Sequence, residues 1–207
     1  INPYSSYSYY FVTEGENPQT LVADSSAVSV SGTVVTSYPE HLLIEKDAYS
    51  WYTSGRNLFD SYDFVNGNSK NYSLLTPDAD TTRTAWATVV MTASGSSSTS
   101  VKVSLNAQSL STSVISAVGQ YDHAMMNTIK RSSKIVNGEN ILNIQTTAGH
   151  NARLDYISLN YDRQLKLNGS FLSFSHYLTG GQRMQLSGAD AATQIWRIGA
   201  AGDAVKQ

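Results

Sequence analysis

The sequence predicts an all-β protein: an antiparallel β-sandwich or jelly roll of galactose-binding-like form, with an N-terminal β extension. Three observations predict it. Short runs of alternating apolar and polar residues, rich in Val, Ile, Thr and Tyr, recur about every 8–12 residues, the spacing of strands in a sandwich. Clusters of Gly, Asn, Ser and Pro punctuate those runs. Helical periodicity is almost absent, residues 47–54 being the best candidate for a helical turn, and no repeat of solenoid or propeller length is visible.

The first strand is expected where Tyr7, Tyr9 and Phe11 alternate with their neighbours, ended by Glu14-Gly15-Glu16-Asn17-Pro18. Val28, Val30 and Val34 mark a second, with a bulge at Gly32. His41-Leu42-Leu43-Ile44-Glu45-Lys46-Asp47 reads as a short third strand. The stretch SWYTSGRNLFDSYDF after it mixes aromatics, charges and Gly55 without a period, as an ordered excursion would. Residues 70–75 are β-like. Over 83–93, Ala85, Ala87, Val89 and Met91 share one face, with Trp86 and Val90 on the other. Val101, Val103 and Leu105 alternate with Lys102, Ser104 and Asn106 as a half-buried strand. Residues 114–118 and 123–131 continue the spacing. Leu165-Lys166-Leu167-Asn168-Gly169-Ser170-Phe171-Leu172 is the strongest hairpin signal, and 184–186 and 194–198 close the series.

Residues 137–163 organise the rest. Asn137-Gly138 suits a tight hairpin turn because both residues tolerate positive φ. Leu142, Ile144 and Thr146 then share one strand face, with Asn143 and Gln145 on the other. After a polar loop, Ile157, Leu159 and Tyr161 load one face of a second strand while Leu154 and Tyr156 load the opposite one, the pattern of a strand covered on both sides. These two strands are expected to be the inner pair of one antiparallel sheet. Asp155 stands among apolar residues, either as an acceptor for backbone N–H groups of the 147–152 loop or as a calcium or sugar ligand.

Composition excludes several classes. Only 14% of the 207 residues are charged and the net charge is -2, so there is no electrostatic footprint for nucleic acid or an anionic membrane. With no cysteine, the chain has no disulfide framework, no thiolate metal site and no cysteine nucleophile. No apolar run approaches the roughly 20 residues that cross a bilayer. The opening INPYSSYSYYFVT lacks Met and a signal-peptide pattern, so the chain is expected to be a fragment.

Little in the sequence advertises chemistry. His41, His123, His150 and His176 have no metal-ligand spacing, and no nucleophile elbow or phosphate-binding loop is present. The carboxylate pairs Asp60/Asp63 and Asp78/Asp80 have the composition of a glycosidase or calcium site, yet PDADTT at 77–82 reads more simply as a turn. No metal, no cofactor and no catalytic residue is therefore expected. Of the three tryptophans, Trp86 is expected in the core and Trp51, beside Tyr49 and Tyr52, on the surface. Arg56 is placed to pair bidentately with Glu45 or Asp47, locking the excursion onto the sandwich as a structural network.

Two separated blocks resemble a known family. His41-Leu42-Leu43-Ile44-Glu45-Lys46-Asp47 followed by Ser54-Gly55-Arg56-Asn57-Leu58-Phe59 is similar to a segment of PorU-type proteins. So are Leu154-Asp155-Tyr156-Ile157, Arg163-x-Leu165, Phe171-Leu172-x-Phe174 and Ile195-Trp196, which look like the run before that family's peptidase domain. Leu58 stands where the family usually has Trp. These are the gingipain-related cell-surface sortases of the type IX secretion system in Bacteroidetes. The resemblance implies a β-rich region N-terminal to a cysteine peptidase domain, carrying neither catalytic His nor catalytic Cys. It also implies a secreted, outer-membrane-associated location, with the downstream peptidase domain and secretion cargo or outer-membrane proteins as partners. Residues 1–66 are then an N-terminal β segment packed on a sandwich of 67–207. The alternative is a carbohydrate-binding module using Trp51, Tyr52 and Asp155 to hold a glycan.

Overall fold

The computed structural model describes residues 32–53, 55–148, 151–175, 182–198 and 204–206. Among them the strands are β1 (Thr33–Val35), β2 (Ser37–Glu45), β3 (Ser69–Thr76), β4 (Ala85–Ala93), β5 (Thr99–Leu105) and β6 (Gln108–Ile115). They continue with β7 (Met125–Ser133), β8 (Gly138–Ala148), β9 (Ala152–Gln164), β10 (Gln182–Met184), β11 (Trp196–Ile198) and β12 (Ala204–Lys206). The protein is all-β, as the alternation predicts. Two four-stranded antiparallel sheets, ordered β2-β9-β4-β7 and β3-β8-β5-β6, form a sandwich within a compact unit of residues 31–189. β1 and β10 pair in parallel in the same unit, while β11 and β12 form an antiparallel pair in a second unit.

The core follows from the period of two. Ala85, Ala87, Val89, Met91 and Ala93 of β4 face inward with Leu154, Ile157, Leu159 and Tyr161 of β9. Tyr72, Leu74, Val101, Val103, Leu105, Leu142 and Ile144 face them from the other sheet. The β4/β9 register shifts between Val90 and Met91: Val90 pairs with Tyr156 but Met91 pairs with Leu154, so Asp155 is an extra, unpaired residue in that ladder. One extra residue changes the parity of the strand. Leu154 and Ile157 therefore both reach the core, where strict alternation places them on opposite faces.

Several expectations need correction. β8 and β9 are each interior strands, but of opposite sheets, so they are not a paired inner couple. The Asn137-Gly138 step is accordingly a crossing from one sheet to the other. It is pinned by Asn140, fully buried, whose amide donates to Thr76 Oγ1 (2.9 Å) and Val136 O (3.0 Å) and accepts from Val136 N (2.9 Å) and Asn106 Nδ2 (2.7 Å). β6 starts earlier than the sequence suggests because Asn106 and Ala107, both at positive φ (49° and 65°), make the tight β5–β6 turn. An Asn-Ala pair lacks the glycine that normally announces such a turn.

No hairpin forms at 165–172. Leu167 N instead donates to Ser187 O (2.9 Å), Ser187 N to Leu165 O (2.9 Å) and Asn168 Nδ2 to Asp78 Oδ2 (2.6 Å), so distant partners take these groups. No helix appears among the described residues of 47–54. The strand expected at Tyr7, Tyr9 and Phe11, and the Val28 and Val30 portion of the next, lie outside the described residues.

Buried phenols give the sandwich a pH limit. Burial, and then the nearby Glu40 carboxylate, push the Tyr161 hydroxyl up to about 12. Burial likewise raises Tyr72, with Asp60 adding to it, and Tyr38. A phenol raised above its unfolded value of about 10 favours the fold below that pH, and the contribution is lost as pH rises through the folded value. In an ultraviolet pH titration followed in parallel by circular dichroism, these three tyrosines should ionise only as the sheet signal collapses. Ionisation of all thirteen tyrosines near pH 10 with the sheets intact would contradict this.

Candidate functional site

The excursion after β2 caps one end of the first sheet. β2 stops pairing at Glu45, opposite Tyr156, which leaves the edge of β9 free at its N-terminal end. Residues 60–64 take over that edge: Asp60 N donates to Leu154 O (2.8 Å) and Phe64 N to Ala152 O (3.0 Å). Between them and β2 the chain forms a loop closed by Tyr49 N to Phe59 O (2.9 Å) and Phe59 N to Tyr49 O (2.8 Å).

Arg153 fastens this loop. It is cross-strand from Thr92 and only 8% exposed. Its guanidinium carbon lies 3.7 Å from the Tyr49 ring centroid and 5.9 Å from that of Trp51, and it donates to Ser61 O and to Asp63 Oδ2 (3.4 Å). Asn151 Nδ2 donates to the same Asp63 oxygen (2.7 Å). Trp51 stands edge-on to Tyr49 (5.3 Å, 88°) and donates its indole N–H to Thr92 Oγ1 (3.1 Å). Tyr52, 51% exposed, stacks on His123 at 4.5 Å and 20°.

These positions revise the expected site. Trp51 is half-buried and engaged on its N–H, whereas Trp86 is 48% exposed. The reversal has a simple cause: the alanine face of β4 turns inward, so its opposite face carries Trp86 outward. Asp155 sits on the bulge. Its carboxyl is raised by burial first and then by the Glu45 and Asp47 carboxylates. No hydrogen bond or ion pair joins it to Trp51 or Tyr52 among the described residues. Arg56 is exposed and makes no ion pair with Glu45 or Asp47 among the described residues, so the expected Arg56 lock is not formed. Arg153 fills that role, and an arginine set between the apolar residues Ala152 and Leu154 was the signal for it.

The carboxylate pairs lie in ion pairs with strand residues or with their own turn. Asp60, 2% exposed, accepts from Lys70 Nζ (2.9 Å), Tyr62 N (3.0 Å) and Tyr72 Oη (3.4 Å). Burial pushes its carboxyl up, but the Lys70 and Tyr62 bonds outweigh burial and hold it below the usual carboxylate range. Asp78 faces Arg163 (3.7 Å) and Lys166 (3.6 Å), and Asp80 and Asp162 face Arg83 (3.5 and 3.7 Å). Among the described residues no three His, Asp or Glu side chains converge as metal ligands. His41 Nε2 meets Ser158 Oγ at 3.1 Å. That serine lies in mid-strand with ladders on both sides, where backbone N–H groups are committed to the sheet and cannot serve as an oxyanion hole.

No family model and no curated protein matches the sequence. Solved structures match the backbone. The fold is similar to part of PorU. Over 73% of this chain and 15% of that one, the crystal structure of dimeric latent PorU from Porphyromonas gingivalis superposes with a TM-score of 0.61 at 18% identity. The chain thus spans about a seventh of the PorU chain it matches. Family 35 carbohydrate-binding modules match more loosely. One from an environmental isolate has a TM-score of 0.40 at 18% identity, over 68% of this chain and 92% of that one. One from Clostridium thermocellum has 0.38 at 14%, over 59% and 95%.

Two substitutions separate the roles. Arg153→Ala should lower unfolding stability by about 2–3 kcal/mol in denaturant titration and change Trp51 fluorescence, because it strips Tyr49 and leaves Asp63 without its cation. Arg56→Ala should stay within about 0.5 kcal/mol of the parent. Asp155→Asn should raise the melting temperature at neutral pH, since the charge it removes is disfavoured in the folded state. That gain should vanish as pH falls through the carboxylate range. A loss of stability at neutral pH would mean that the Asp155 charge is compensated.

Proposed function

We propose that this chain is a non-catalytic β-sandwich region of a secreted, cell-surface cysteine peptidase of the gingipain-related PorU type. It packs beside the peptidase domain and helps hold secretion cargo or an outer-membrane partner. The observation that carries this reading is the TM-score of 0.61 to a region making up 15% of PorU. Two features support it. The blocks around His41 to Phe59 and Leu154 to Trp196 resemble the family's in order, with departures at Leu58 and over 197–199. The clustered carboxylates Asp60, Asp63, Asp78 and Asp80 each face a Lys or Arg, as in a structural network.

Reading the gene past the codon for Gln207 tests it. The frame is expected to continue into a domain with a His and Cys placed for thiolate attack on a peptide carbonyl. A stop codon directly after Gln207 would overturn the reading.

Carbohydrate recognition is the second reading, favoured by exposed aromatic rings on the sandwich unit: Tyr52 at 51% and Trp86 at 48%.

A further inference from the structure

We propose that the outer face of the β2-β9-β4-β7 sheet around Trp86 is a carbohydrate-binding site that stacks one sugar ring of a neutral polysaccharide on the indole. This rests on the carbohydrate reading and is independent of the peptidase one.

The site is set by register. Across the sheet, His41, Asn160, Trp86 and Ser132 stand in one row, and Leu43, Ser158, Thr88 and Lys130 in the next. Trp86 is the second residue of an interior strand, so its exposed ring lies near one end of the face but between the edge strands. Leaving an indole half in water there forfeits burial that a ligand would supply. Around it the sequence places hydrogen-bonding groups. His41 Nε2 and Asn160 Nδ2 lie 3.1 and 3.5 Å from Ser158 Oγ, which orients the polar row beside the ring. Lys130 Nζ stands over one side of the indole as a cation–π partner, 5.6 Å from its centroid, and makes no ion pair among the described residues, so it can donate to hydroxyl oxygens beside the ring. Asp162, the nearest carboxylate of the following row, is turned to Arg83 at 3.7 Å.

A flat apolar ring beside the hydroxyl, amide and imidazole of Ser158, Asn160 and His41, with the Lys130 ammonium as a further donor, matches a pyranose, which has an apolar C–H face and a hydroxyl edge. A protein partner would ask for contiguous apolar surface. Here the other exposed apolar side chain of the two rows, Leu43, is on β2, two strands away at ~10 Å across the sheet. The opposite outer face differs. There Asn143 Nδ2 bonds Asn71 Oδ1 (2.7 Å) and Ser73 Oγ bonds Glu139 Oε1 (2.6 Å), and among the described residues no aromatic side chain points outward to stack a sugar. At the far end of the Trp86 face, the loop held by Arg153 covers Thr92 and bounds the site.

The test is affinity electrophoresis of the 207-residue chain through native gels containing arabinoxylan, galactomannan, mixed-linkage β-glucan or, as an anionic control, polygalacturonate. The parent should be retarded by at least one neutral polymer. Trp86→Ala should weaken that affinity at least about tenfold with melting temperature unchanged, and Trp86→Tyr, which keeps a ring and the strand, should retain most of it. Retardation unchanged in Trp86→Ala but lost in Tyr52→Ala would overturn this site and leave the carbohydrate reading standing. Retardation by polygalacturonate alone would overturn the neutral-sugar assignment, and no retardation in any gel would remove both.

Discussion

A single unpaired residue decides which side chains this sandwich buries and which it displays. Because Asp155 is extra in the β4/β9 ladder, the two halves of β9 present opposite parities to the same core, and Ala152 and Leu154 join Ile157, Leu159 and Tyr161 inside. The same shift sends Arg153 to the outer face. From there it reaches Tyr49, Ser61 and Asp63 and holds down the loop that replaces β2 along the sheet edge. Without the extra residue, Arg153 would point into an apolar interior at a cost of several kcal/mol, or Leu154 would point to water. The bulge, the aromatic cap and the open Trp86 face are thus one arrangement.

Charge in this molecule is sparse and is spent on fastening loops. Lys70 from β3 grips Asp60, Arg153 from β9 grips Asp63, and Arg163 from the other end of β9 lies against Glu40 and Asp78. Each cation projects from a strand and each of Asp60, Asp63 and Asp78 comes from a connecting segment. Lys70 is also flanked by the Tyr62 and Tyr72 rings at 4.8 and 4.9 Å, so an apolar wall shields that pair. Pairs of this kind specify loop position more than they add net stability. They also account for the position of each close-set aspartate, which lies against a lysine or arginine.

The sheets were legible because their signal is local. The inward sets of β4, β5 and β8 read correctly, including Leu142, Ile144 and Thr146, and 70–75 read as β. What failed needed information from far along the chain. A bulge leaves no mark in a period-two pattern except two apolar sets that look opposed, which is how Leu154 and Tyr156 came to be placed together. The hairpin read at Asn168-Gly169 gave way to pairing with Ser187 and Asp78. Trp86 is expected in the core because its strand carries apolar residues on both faces, although the alanine face of that strand already points the other way. At the aromatic cap, Trp51 and Tyr52 were visible in sequence, but their partners Thr92 and His123 lie in other parts of the chain.

The short parallel pair has a mechanical meaning. β1 begins beside the start of β10, and Val35 ends beside Met184, so the strands that flank the sandwich in sequence run in the same direction. Tension applied to the chain before Thr33 and after Met184 would draw them along each other's length. Their interstrand contacts would then bear the force together, in shear, where an antiparallel closure would open one bond at a time. For a domain strung between an anchor and a neighbour, that pairing acts as a clamp across its two ends.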